Sequence, residues 1–167
     1  HVYFDWGRGE EEIVFVAEDT QGGVTTVTEK DGVRTLLTNG KFQGNDGGEV
    51  HAQRFFAHYP TMFVPRFERA LVIGLGTGST LGTLAAYPFE NIDVAEISPS
   101  IVRAATTYFG PIGADALRDP RVTLFLADGR NHLLVTDARY DLIGLELTSV
   151  WFAGAGSLYS REFYALV

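Results

Sequence analysis

Cysteine is absent from this 167-residue sequence, which removes disulfides, thiolate metal sites and cysteine nucleophiles from consideration. Long apolar runs are missing too. None approaches the ~20 residues needed to span a bilayer, so the chain as given reads as soluble. A signal peptide is absent, because the N-terminus is HVYFDWGRGEEE rather than basic then apolar. Basic residues are scarce: 13 Lys and Arg against 21 Asp and Glu give a net charge of −8. That sign argues against a nucleic-acid binder, which needs a basic face for phosphates, and it is compatible with a cationic substrate. The four histidines, His1, His51, His58 and His132, show no H-E-x-x-H or other ligand spacing. They read as surface or core residues, and no metal is expected. Neither Ser79 nor Ser157 sits in a G-x-S-x-G elbow, so acyl-transfer chemistry has no support. The absence of an initiator Met suggests part of a longer product.

Hydrophobic residues make up 46% of the chain, enough for one globular domain with a real core. Residues 12–44 read as strands. EIVFVAED, GVTTVTEKDG and VRTLLTNGKF are broken by Gly22-Gly23, Asp31-Gly32 and Asn39-Gly40, dipeptides that suit hairpin turns. Glu49–His58 reads as a helix carrying Val50, Phe55 and Phe56, with Pro60 beyond its end. The trio Glu10-Glu11-Glu12 reads as a solvated turn.

From Ala70 the pattern changes. ALVIG, IDVAEI, VTLFLA and DLIGLEL alternate with helical stretches at Thr80–Tyr87, Pro99–Phe109 and Arg130–Val135. Nearly continuous apolar strands alternating with helices predict a parallel α/β sheet covered on both faces. The expected division is a β module with its connecting helix over residues 1–60 and a doubly wound domain over 61–167. Four strands precede Val167, where the sequence stops inside the helix-like SREFYALV; such domains usually carry more, so a C-terminal part is expected to be missing.

Three carboxylates then claim attention. Gly74-Leu75-Gly76-Thr77-Gly78 follows a strand and precedes a helix, a turn that brings backbone N–H groups close to a ligand. It lacks the Lys of a phosphate loop and the G-x-G-x-x-G spacing of dinucleotide folds. Glu96 ends the second strand, about 20 residues further on, where a carboxylate accepts ribose hydroxyls. Asp128, in ADGR, ends the third and has two readings: a contact to an adenine amino group, or the N-cap of the next helix. Glu146 ends the fourth, YDLIGLEL, as a cap, an accident of the fold or the floor of a site. Their convergence on the edge where α/β folds bind ligands favours a site. Trp151 and Phe152 cover a pocket or belong to the core.

These patches resemble the polyamine aminopropyltransferases, the spermidine synthase family. IGLGTGS resembles the family's glycine motif, AEISP its V-E-I-D-P stretch, and ADG its G-D-G. YDLI and LYSREFY resemble its Y-D-V-I strand and L-[FY]-[ST]-x-E-F-[YF] run. TNGKFQ and AHYP resemble its N-terminal L-D-G-x-x-Q and A-H-x-P. The resemblance implies a Rossmann-like, class I methyltransferase-type parallel sheet preceded by a small β-hairpin module. It further implies donor contacts at Gln43, Gly74, Gly76, Thr77, Gly78, Glu96, Ile97, Asp128 and Gly129. Aminopropyl transfer from decarboxylated S-adenosylmethionine to a putrescine-like amine is the implied activity, with Glu146 and Ser149 beside the acceptor and no metal. A homodimer in the cytoplasm is implied as well.

The sequence departs from the family pattern at the amine end. The gate-loop motif of two Asp reads Glu146-Leu147-Thr148-Ser149, the Asp of the glycine motif is Thr77, and an acceptor-site Tyr aligns with Ala52. Ser and Thr do not replace a carboxylate's charge toward an ammonium. The pattern E-x-x-[SN]-x-W-x-A-G looks most like spermidine synthase-like domains attached to multi-pass membrane segments. Two alternatives stay open: methyl transfer from intact S-adenosylmethionine, since Thr77 no longer repels its carboxylate, and a non-catalytic nucleoside-binding or assembly domain.

Overall fold

The computed structural model describes residues 11–146 and 155–167; His1, Glu10, Ser149, Trp151 and Phe152 lie outside the described residues. The first 35 or so of these form an antiparallel sheet of β1 (Glu12–Asp19), β2 (Gly23–Lys30), β3 (Val33–Thr38) and β4 (Lys41–Asn45), in the order β1-β2-β3-β4. Asp31 and Asn39 take φ of 52° and 51°, and Gly32 and Gly40 follow at 76° and 74°. Two successive positive φ angles match the twist of the flanking strands, so each dipeptide closes a two-residue hairpin. β2 and β3 bury Val27 and Leu36 against Ala104 and Phe109 of the following domain.

Helix α1 (Val50–Thr61) extends past the expected end and takes in Pro60. The last turn tolerates it because three-residue bonds take over there: the N–H of Met62 reaches Tyr59 O at 3.3 Å and that of Phe63 reaches Pro60 O at 3.0 Å. Val50 and Ala57 are buried, whereas Phe55 and Phe56 are 64% and 69% exposed.

The second sheet is parallel. β5 (Arg69–Ile73) lies between β6 (Asn91–Glu96) and β8 (Leu142–Leu145), with β7 (Val122–Leu126) outside β6. The crossovers carry α2 (Ser79–Ala85), α3 (Pro99–Tyr108) and α4 (Gly129–Val135); α5 (Arg161–Tyr164) is a single turn. β5 reads as continuous apolar sequence because both of its faces are covered, and Ala70 to Ile73 are at most 2% exposed. Ile73 pairs with Ala95 on one side and Leu145 on the other, and Glu96 pairs with Leu126. This register ends the strands level, so the residues that follow them share one edge.

Two histidines are structural here. His132 Nε2 lies 2.9 Å from the Tyr140 hydroxyl, which donates to buried Asp93 at 2.8 Å. Burial, then Asp93, pushes the Tyr140 phenol up to about 12. His58 Nδ1 lies 2.8 Å from the Tyr87 hydroxyl.

Candidate functional site

Above the carboxyl edge of the parallel sheet lies a cavity of about 390 Å³, within the range of a small-molecule site. One wall comes from the parallel sheet and its loops. The other comes from the N-terminal hairpins, through Gln21, Gly22, Asn39 and Gln43. The glycine loop enters between them. Gly74, Gly76 and Gly78 have φ of 87°, 53° and 83°, the left-handed region that side chains resist. A Cβ on Gly76 would meet nothing within 4 Å, whereas one on Gly78 would stand 2.7 Å from backbone atoms of Ala114. Gly76 therefore opens toward the cavity, and Gly78 is a packing residue.

Glu96 is 3% exposed. Its Oε2 accepts the N–H of Leu75 at 2.7 Å and its Oε1 that of Ser98 at 2.8 Å. The carboxyl thus clamps the glycine loop to the end of β6, and it stands at the cavity. Burial raises its pKa despite these bonds.

Asp128 is the N-cap of α4, and it also stands at the cavity. Its Oδ1 accepts the N–H of Asn131 at 2.8 Å. Glu146 follows β8, with its N–H on Ile73 O at 2.9 Å. Thr80 donates its hydroxyl to Oε1 of Glu146. Burial pushes the Glu146 carboxyl up to about 7.

The structure thus brings Gln43, Gly74, Gly76, Glu96, Ile97, Asp128, Gly129 and Glu146 onto one cavity. Thr77 and Gly78 are not on its wall. The Thr77 side chain is buried and donates to Gln53 Oε1 of α1 at 2.9 Å. Gln53, Thr80, Asp19 and Ser98 escaped the sequence reading. Asp19 before Gly22-Gly23 and Ser98 before Pro99 carry a turn and a cap signal, but nothing local pairs them. Glu96, Asp128 and Glu146 face the cavity, and no Lys or Arg lines it among the described residues. Such a site favours hydroxyl donors and cations and disfavours phosphates.

Residues 49–167 match the family model of the spermine/spermidine synthase domain. The chain belongs to this family. A polyamine aminopropyltransferase from Clostridium perfringens is 39% identical over 108 residues, 64% of this chain and 38% of that protein. One from Streptococcus uberis is 30% identical over 155 residues, 92% of this chain and 54% of that protein. The chain therefore spans about half or less of these relatives. Among solved structures, spermidine synthase in complex with the transition state analogue AdoDATO superposes with a TM-score of 0.85 at 20% identity, over 93% of this chain and 53% of that one. Spermidine synthase from Thermotoga maritima gives 0.81 at 20% identity, over 93% and 52%. Family and superposition agree on a Rossmann-like α/β domain preceded by a four-stranded antiparallel sheet.

Proposed function

We propose that this spermidine synthase-family chain transfers an aminopropyl group from decarboxylated S-adenosylmethionine to a putrescine-like amine. The observation that carries this reading is the set of three carboxyl groups, Glu96, Asp128 and Glu146, around a cavity with no basic side chain among its described lining. A donor that is a sulfonium with an ammonium tail suits that field, and its ribose hydroxyls suit the acceptor oxygens of Glu96.

In the reaction, the amine nitrogen attacks the carbon beside the sulfonium. The C–S bond breaks, its electron pair stays on sulfur, and methylthioadenosine leaves as a neutral thioether. The attacking nitrogen sheds a proton, and Glu146 is the acceptor. An alkyl ammonium has a pKa near ~10, so a carboxylate beside the acceptor both attracts the cation and takes the proton. Most of the rate comes from holding the two reactants in line. Ser149 stands beside the acceptor in this reading. Residues 1–60 supply the hairpin wall and residues 61–167 the nucleoside domain. A homodimer, a cytoplasmic setting and a membrane-attached remainder belong to the same proposal. Among the described residues no helix is long and apolar enough to cross a membrane.

One observation favours methyl transfer instead. Thr77 and Gln53 form a neutral pair at the glycine loop, where an acid would oppose the carboxylate of intact S-adenosylmethionine. Calorimetric titration with the decarboxylated and the intact donor, side by side, separates the readings. Preference for the decarboxylated donor, followed by methylthioadenosine release with an amine, supports aminopropyl transfer. Preference for the intact donor moves the assignment to methyl transfer. Nucleoside binding without turnover on any amine leaves a non-catalytic binding domain.

A further inference from the structure

The Asp19 carboxylate, at the end of β1, joins the two walls of the cavity. Ser98 is fully buried. Its hydroxyl donates to Asp19 Oδ2 at 2.6 Å and accepts the N–H of Ile101 at 3.1 Å, capping α3. The backbone N–H of the same residue donates to Oε1 of Glu96 at 2.8 Å. Asp19 ends β1, and its carboxylate gathers the hairpin tip: Oδ1 accepts from the N–H groups of Gln21 and Gly22, and Oδ2 also takes the Ser100 N–H at 3.3 Å. The tip then packs directly on the cap, since a Cβ on Gly22 would lie 2.5 Å from Ser98 Cβ and Oγ.

We propose that Asp19 and Ser98 are positioning residues for nucleoside binding: their hydrogen bond fastens the first hairpin tip over the cavity and fixes the Glu96 carboxyl beneath it. This rests on the donor reading above. Neither residue needs to touch the reacting atoms; they act through Gly22 on one side and Glu96 on the other.

The charge state of the pair is fixed. Burial alone would raise the Asp19 carboxyl, but the Ser98 hydroxyl and the Gly22 and Ser100 N–H groups outweigh it and hold it at about 2. Asp19 is therefore an anion throughout the range in which an enzyme works. Its neighbour must be a donor, and Ser98 is one. The related V-E-I-D-P pattern has Asp at this position. In this chain an acid there would set two carboxylates against each other, so the pairing is particular to the combination of Asp19 with Ser98.

The test is a double-mutant cycle with methylthioadenosine as the ligand. Ser98→Asp keeps a good helix cap but confronts Asp19 with a like charge, and binding is expected to weaken about tenfold or more. Asp19→Asn alone is expected to cost about threefold, because a neutral acceptor makes a weaker bond than a carboxylate. In the double variant the new amide donates to the new carboxylate, and affinity is expected to return to within about threefold of wild type. Hydrogen exchange at the Gly22 amide is followed in parallel, fast in Ser98→Asp and slow again in the double variant. Unchanged binding and exchange in Ser98→Asp, or a double variant no better than Ser98→Asp, overturns the proposal. If the wild-type chain does not bind methylthioadenosine, the donor reading falls and takes the role in nucleoside binding with it. Exchange at Gly22 then still decides whether the pair fastens the tip.

Discussion

Thr80, in the first turn of α2, donates its hydroxyl to the carboxyl of Glu146, 66 residues further along the chain. The bond ties the glycine-loop helix to the end of β8, on the other side of Gly74. It gives Glu146 a fixed orientation and a donor that favours its charged form, against a burial that favours the neutral one.

Turnover is expected to follow that balance. With its carboxyl at about 7, Glu146 is ready to accept a proton only above that pH, so kcat should rise as pH passes through 7. Thr80→Val removes the donor to the anion and should move this midpoint upward. Glu146→Gln should lower kcat by about 100-fold or more while methylthioadenosine affinity stays within about threefold. A pH–rate profile with an amine in excess measures the three effects on kcat, and calorimetric titration with methylthioadenosine measures the affinity.

The stability consequence has the opposite sense from that of a salt-bridged acid. The folded pKa is raised from 4.5 to about 7, so folding favours the protonated acid. That contribution is complete below pH 4.5 and is lost as pH rises through 7. Glu146→Gln should therefore raise Tm at pH 8 and change it little at pH 4.5. Calorimetric melts at the two pH values check the difference.

Glu96→Gln is nearly isosteric yet should destabilise the fold. Two N–H groups, of Leu75 and Ser98, point at the two carboxylate oxygens, and an amide offers one acceptor and one donor. One buried N–H is left facing another donor, at a cost of about 1–3 kcal/mol. Urea unfolding should show the loss, and the glycine loop should exchange its amides faster.

Gly76→Ala and Gly78→Ala should separate binding from folding. Both force a side chain into positive φ, a strain of roughly 1–2 kcal/mol. At Gly78 the new methyl also meets Ala114 backbone, adding about 1–3 kcal/mol of overpacking. At Gly76 the methyl points into open space, so the larger effect should be on nucleoside affinity. Paired denaturation and titration experiments give the two ratios.

Much of this architecture was legible in the sequence. The apolar runs marked the four parallel strands because β5 and β6 are covered on both faces, and Asp31-Gly32 and Asn39-Gly40 marked tight turns because few other pairs tolerate those φ angles. Asp128 was recognisable as a cap from its own neighbours. The contacts that shape the cavity were not legible. Asp19 meets Ser98 across 79 residues, Thr77 meets Gln53 across 24 and Glu146 meets Thr80 across 66, and each is made by the docking of separate elements. The length of α1 was missed for a local reason, since the chain absorbs Pro60 by tightening the last turn.

The two walls of the cavity come from different sheets, and this has a thermodynamic corollary. A nucleoside held there touches both, so its free energy of binding adds to the free energy that keeps the sheets docked. At a concentration 100 times its Kd such a ligand contributes about 2.7 kcal/mol, comparable with one or two hydrogen bonds of the Asp19 kind. A ligand bound there would be part of the cement of the fold: saturation should merge the melting of the hairpin sheet with that of the parallel sheet, and removing the ligand should expose the hairpins first.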